Sequence, residues 1–344
     1  MRVLVTGGAG FIGSRIAAAL LEDGCDVRIL DVIAPACADA RAEVITGDVS
    51  DPAVAGAAIE GVDAVCHQAA KVGLGVDFGD APAYVAANDT GTVVLLSSLW
   101  QRGFTGRLVL ASSMVVYGEG RSRCPDHGLV RPGPRRAEDL QAARFDPRCP
   151  TPGCPRRLRW SPVDEDTAVD PRNVYAATKL HQEHLCAVWA REAGATAVAL
   201  RYHNVYGPGM PRNTPYAGVA SIFRSALEGG HPPAVFEDGG QTRDFVHVDD
   251  VARANVLALT GRRVASGAYN IASGRPRTIL DMAVALSAGF GPDVPAPVVT
   301  GAWRLGDVRH IVASPVRAAD GLGFEASIGF EEGMAELAAS PLGA

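Results

Sequence analysis

The chain has 344 residues, 47% of them apolar, and a formal net charge of −6. That length is enough for one large or two closely joined domains around a sizeable core. An acidic balance argues against a nucleic-acid or anionic-membrane partner, because both need a basic footprint, and no apolar run approaches the roughly 20 residues that span a bilayer.

In chain order, "RVLVTG", "DVRILD", "AEVITGD", "DAVCHQAA", "RLVLASS" and "ATAVALRY" are predicted strands. "SRIAAALLEDG", "VAGAAIEG", "DTGTVVLLSSLWQRG" and "NVYAATKLHQEHLCAVWAREAG" are the helix-like stretches between them. Continuous apolar strands separated by helices imply a parallel sheet covered on both faces, an α/β doubly wound fold. Residues 120–162 break the rhythm: they are rich in Arg, Pro and Cys, lack periodicity, and look like an insertion. Beyond about residue 203 the pattern turns irregular, as expected of a smaller mixed lobe. The expected division is 1–202 plus 245–262 for the larger domain and 203–244 plus 263–344 for the smaller. The chain starts directly on a strand, which leaves no room for a signal peptide; the expected location is the cytoplasm.

Seven cysteines are an odd number. Cys25, Cys66 and Cys186 sit in apolar segments and read as buried thiols; Cys37 reads as a loop residue. Disulfides are not expected in a reducing compartment. Cys124 with His127, and Cys149 with Cys154, give one Cys-x-x-His and one Cys-x-x-x-x-Cys pair inside the insertion. This set admits a tetrahedral structural zinc site, or else a flexible reduced loop.

"VLVTGGAGFIGSRIAAALL" places Gly7, Gly8, Gly10 and Gly13 between the first strand and a helix. Glycines there allow a tight turn, close approach of a pyrophosphate to backbone, and close helix packing, with the helix N-terminus facing the phosphates. The next strand ends in Asp31, a carboxylate suited to the adenosine ribose hydroxyls and repulsive to a 2′-phosphate, so NAD is favoured over NADP. Asp48 ends the third strand, either as an adenine contact or as a helix N-cap. Small residues in "CHQAA" leave room for a dinucleotide; His67 itself reads as structural.

Tyr175 and Lys179 lie four apart on a helical stretch and so share one face. An ammonium near a phenol favours the phenolate, which would make Tyr175 a general acid/base near neutral pH.

Taken together, "TGGAGFIG", Asp31, "CHQAA", "ANDTGTVVLL", "SSMVVYG", Tyr175 with Lys179, "RYHNVYGPG" and "RDFVHVDDVA" resemble the extended short-chain dehydrogenase/reductases. More narrowly they resemble the NAD-dependent nucleotide-sugar epimerases and dehydratases. The resemblance covers nearly the whole chain except about 120–162. It implies a Rossmann-type NAD domain with a nucleotide-sugar-binding lobe, and a homodimer formed through helices that include the Tyr175 one. It implies NAD contacts from Gly7, Gly10, Phe11, Ile12, Gly13, Asp31, Asp48, Val49, Ala69, Ala70, Asn88, Tyr175 and Lys179. Ser113 is implied as the third catalytic member and as a sugar contact. Asn204, Arg243 and Arg304 are implied diphosphate contacts, with Arg309 a weaker candidate; Asp249 and Asp250 read as a helix N-terminus.

In the 4,6-dehydratase branch the turn after this serine resembles Ser-Thr-Asp-Glu-Val-Tyr-Gly, whose acidic pair eliminates water. Here Met114 and Val115 take those places, and apolar side chains cannot protonate a leaving hydroxyl. The set therefore points to a 4-epimerase working through a transient 4-keto sugar. The rivals are a 4-ketoreductase, a 4,6-dehydratase, and a non-catalytic NAD-binding scaffold or redox sensor. The Cys-containing insertion, "NTPYAGVASIF" and "PPAVFEDGGQTRDFV" resemble epimerases of dTDP-6-deoxyhexoses of the dTDP-L-rhamnose type. A dTDP-sugar is favoured on that basis, with UDP- and GDP-sugars as alternatives.

Overall fold

The computed structural model describes residues 1–35, 39–73, 77–212 and 218–343. Cys37 and the "NTPYA" part of the resemblance lie outside the described residues. Seven strands make one parallel sheet: β1 (Arg2–Thr6), β2 (Asp26–Asp31), β3 (Glu43–Thr46), β4 (Ala64–His67), β5 (Arg107–Ser113), β6 (Thr196–Tyr202) and β7 (Gly267–Ile271). Their order is β7-β6-β5-β4-β1-β2-β3. The chain order reverses between β1 and β4, and that reversal opens the crevice where α/β sheets of this type take their ligands.

Valine, leucine and isoleucine dominate the strands because helices cover both faces. On one face, Ile16 and Leu20 of α1 (Phe11–Glu22) meet Val251 and Ala254 of α5 (Val248–Thr260) over Val3, Val5 and Val109. On the other, Leu95 and Leu99 of α3 (Gly91–Gln101) meet Cys186 and Trp189 of α4 (Val174–Ala193) over Leu4, Val65 and Leu108. Each such fully buried aliphatic side chain contributes roughly 1.5–3 kcal/mol, so the two layers hold the sheet. Cys25, Cys66 and Cys186 lie buried in these layers, as expected.

The boundary drawn at residue 262 needs correction. β7 pairs with β6 from Gly267↔Val198 to Ile271↔Tyr202, and Ala318, Leu322 and Phe324 join the same core. Sequence pattern missed this strand because its pairing forms only after the chain has left for the second lobe and returned. That lobe centres on the helices Val219–Glu228, Ile279–Phe290 and Phe330–Ala339, which share one apolar cluster. The insertion holds more order than its sequence suggests. Arg121–Cys124 pairs antiparallel with Gly128–Val130 and with Arg159–Ser161, and Ala137–Gln141 is a short helix. Among the described residues no helix is long and apolar enough to cross a membrane.

Candidate active site

The glycine loop leaves β1 at the reversal point. Gly7 has φ +69°, and a Cβ there would stand 2.6 Å from the Ala69 backbone nitrogen. A Cβ on Gly13 would meet the Gly7 carbonyl at 2.1 Å, so α1 can pack this closely only with glycine at that position. Gly10 is the N-cap of α1 and offers no side-chain cap, which leaves the first-turn N–H groups open toward the crevice. Phe11 and Ile12 are partly exposed on that first turn. Asp31, at the end of β2, accepts the Ala9 N–H at 2.9 Å, which ties its carboxylate to the loop. A narrow backbone cradle, a free helix N-terminus and a carboxylate beyond it fit a dinucleotide.

The other expected cofactor residues divide. Ala69 and Ala70 follow β4 as small, partly exposed residues. Asp48 is exposed and caps its own turn through the Ser50 N–H at 2.8 Å; the N-cap of α2 (Pro52–Ala58) is Asp51, which overturns the N-cap alternative for Asp48. The Val49 side chain is buried in the core below. Asn88 is fully buried. Its amide accepts the Lys71 N–H at 2.7 Å and donates to the Lys71 carbonyl and Thr178 Oγ1. The Asn88 side chain therefore shapes the wall after β4 from behind, rather than touching a ligand. His67 is structural as read: Thr6 and Thr92 hydroxyls hold its two nitrogens at 2.7 and 3.0 Å, and burial pushes its pKa down to about 3.

Ser113 ends β5, and Tyr175 and Lys179 rise from the first turns of α4, whose N-cap Asn173 accepts the Ala176 N–H at 2.8 Å. Lys179 donates from Nζ to the Ala111 carbonyl at 2.9 Å and lies 5.9 Å from the Tyr175 ring centre. The Ser113 side chain stands by the Tyr175 phenol and favours its ionised form. The expected acidification of Tyr175 by Lys179 is not what the protein alone produces. Burial dominates and pushes the phenol up to about 12, with Ser113 pulling the other way. Burial also lowers Lys179 to about 8.

Behind this group lies a set of residues that sequence reading passed over. Glu183 accepts from Ser112 Oγ and from Arg201 Nε and Nη2, the last two at 2.9 and 2.8 Å. Arg201 Nη1 donates to the Tyr117 hydroxyl at 2.9 Å, and Tyr117 donates to Asn270 at 2.8 Å. The two ends of the Ser112–Tyr117 turn are thus held to α4, β6 and β7. Glu183 stands four residues after Lys179 on the same helix, a signal the sequence did offer. Met114–Tyr117 form a short 3₁₀ turn with no carboxylate in it.

On the second-lobe side, Asn204 pairs into a two-stranded sheet with Phe245 and keeps a buried side-chain oxygen without a protein partner. Arg243 donates to the Thr242, Val308 and Arg309 carbonyls, and burial brings its pKa down to about 10. Arg304 is exposed. Arg304 and Arg243 both act on the Asp307 carboxyl, which burial raises. Arg309 is corrected to a structural role. It is buried, and its three side-chain nitrogens bind Asp146, Glu237 and Asp238 at 2.8–2.9 Å. Asp249 and Asp250 occupy the first turn of α5, as read. Cys124, His127, Cys149 and Cys154 converge in the insertion.

Comparisons with known proteins agree with this geometry. The model of the NAD-dependent epimerase/dehydratase family matches residues 3–139 and 154–272, interrupted within the insertion. The chain is 34% identical to a dTDP-L-rhamnose 4-epimerase of Burkholderia thailandensis, over 98% of this chain and 93% of that one. A UDP-glucose 4-epimerase of Thermus thermophilus solved with NAD superposes with a TM-score of 0.77 at 30% identity, covering 98% of both chains. A UDP-glucose 4-epimerase of Thermotoga maritima, solved with UDP-glucose, gives 0.80 at 27% identity over 98% of this chain and 97% of that one. The chain belongs to the NAD-dependent epimerase/dehydratase family.

Proposed function

We propose that the protein is a 4-epimerase of a nucleotide-activated 6-deoxyhexose, with a dTDP-sugar as substrate. The observation that carries this reading is Tyr175 with Lys179, anchored on the Ala111 carbonyl, beside a Ser113 turn that offers half-buried Met114 and Val115 instead of acids. Tyr175 would take the proton from the carbon-4 hydroxyl at its phenolic oxygen and return it. Ser113 would hold that hydroxyl in line. Lys179, anchored on Ala111, would keep positive charge near the phenol and hold the nicotinamide ribose. Gly7, Gly10, Gly13 and Asp31 would hold NAD, which when bound supplies a hydride acceptor and donor at the same carbon. With phenol and hydroxyl as the proton-transfer groups and no carboxylate in the turn, water elimination has neither its acid nor its base.

The second lobe would carry the nucleotide sugar, with the free oxygen of Asn204 and the guanidinium groups of Arg243 and Arg304 as its diphosphate contacts. The similarity to the Burkholderia enzyme supports a dTDP-sugar. A homodimer is supported by exposed Val93, Trp100 and Val188, which form an apolar face across α3 and α4; light scattering of the purified chain tests it.

The test of function is product analysis by mass spectrometry and proton NMR with dTDP-, UDP- and GDP-sugars and no added cofactor. A product of unchanged mass inverted at carbon 4, formed fastest from a dTDP-6-deoxyhexose, is expected. Loss of water overturns the argument from Met114 and Val115. Turnover that needs external NADH assigns a ketoreductase instead.

A further inference from the structure

Four side chains of the insertion point at one another. Cys124 ends the strand Arg121–Cys124, and His127 sits in the hairpin turn that follows, before Gly128 at φ +70°. Cys149 and Cys154 flank a second turn, drawn closed by a bridge between Arg148 and Arg157. Cys124 Sγ lies 3.4 Å from His127 Nδ1 and 3.8 Å from Cys154 Sγ, and Cys149 Sγ lies 3.5 Å from His127 Nδ1. All four ligand atoms fall within 4.8 Å of one another. Thiolates at about 2.3 Å and an imidazole at about 2.0–2.1 Å from a tetrahedral ion stand about 3.5–3.8 Å apart, the spacing seen here. A disulfide needs about 2.05 Å between two sulfurs.

We propose that Cys124, His127, Cys149 and Cys154 hold one zinc ion in a closed, structural site. Three thiolates and one imidazole are a zinc set, and a fourth protein ligand leaves no position for substrate. Binding would release the thiol protons, and His127 would bind as the neutral ring. The site has a clear mechanical use. The insertion's own apolar cluster is small, formed by Cys124, Cys149 and Leu158 with Val130 and Cys154. An ion that joins the hairpin to the second turn supplies what so small a core cannot.

The span between those two turns reaches the second lobe. Arg135 donates to Glu237 at 2.7 Å, and Asp146 accepts from Arg309 at 2.9 Å. Zinc would therefore clamp both ends of the segment that braces the lobe near Arg243.

Metal analysis of the purified, dialysed chain by plasma mass spectrometry is the test. One zinc ion per chain is expected, lost in the double variant Cys149→Ser with Cys154→Ser, which should keep its bound NAD. Two measurements on the unaltered chain stand even where that variant does not fold. Cobalt-grown protein should show the visible bands of a tetrahedral thiolate site. A strong chelator should open proteolytic cleavage inside 120–162 while the rest stays intact. Folded protein with no transition metal, a disulfide among the three cysteines, or zinc content unchanged in the double variant would overturn the proposal.

Discussion

The nucleotide edge of the sheet and the insertion with its braces solve the same problem, holding a few polar groups in place, by opposite means. At the nucleotide edge the parts lie close in sequence and act through backbone: Gly7, Gly10 and Gly13 shape one turn, and Asp31 ties back to Ala9. In the insertion the parts are distant and act through charge. Arg135 and Glu237 are 102 residues apart, and Glu237 and Arg309 are 72 apart. Glu237 is 1% exposed and shared by two guanidinium groups that are themselves buried. Backbone shape is written locally, whereas a buried ion network exists only once the chain has closed around it.

Four substitutions probe that contrast, from the largest effect to the smallest. Tyr175→Phe is expected to lower kcat about 10²- to 10⁴-fold, with bound NAD and melting temperature near those of the parent. Turnover within a few-fold of the parent would remove Tyr175 from its role. Glu237→Ala leaves the buried Arg135 guanidinium without its carboxylate, while Arg309 keeps Asp146 and Asp238, and should cost about 3–5 kcal/mol of stability. Urea unfolding measures it; a loss within the ordinary surface range would show that the insertion is not braced through Glu237.

Lys179→Met separates function from stability. Burial lowers the Lys179 pKa to about 8, from 10.5. The folded state thus disfavours the ammonium, and this cost is fully present below about 8 and gone above the unfolded value. The variant should be more stable than the parent at neutral pH, by on the order of 3 kcal/mol at 1.36 kcal/mol per pKa unit, and inactive. The difference should shrink as pH rises from about 8 toward 10.5. Melting curves across that range that run parallel would contradict a charged Lys179. Arg304→Ala should leave stability within about 0.5 kcal/mol, because the side chain is exposed. Its effect should fall on KM for the nucleotide sugar; an unchanged KM removes it from the diphosphate site.

Much of this was legible in the residues themselves. The six strands before residue 203, the glycine turn, Asp31, and Tyr175 with Lys179 on one helix face each depend on short-range periodicity or spacing, and the structure carries them where expected. The pKa of Tyr175 was not legible, because desolvation depends on what the fold packs around the phenol. Arg309 shows the same limit from another side. Its residue type suited a phosphate, but closure of the chain surrounded it with Asp146, Glu237 and Asp238.

The sequence by itself determined the parallel sheet, the glycine turn and the placing of Tyr175 and Lys179 on one helix face, since each follows from a pattern within one segment or one βα unit. Only the tertiary structure decided that β7 closes the sheet after the excursion through the second lobe, and that Asn88 works from behind the site. It also decided that two cysteine-bearing turns meet, and that the insertion reaches Glu237. Those outcomes depend on contacts between residues far apart in the chain, whose loop-closure entropy is offset only when the whole core forms around them.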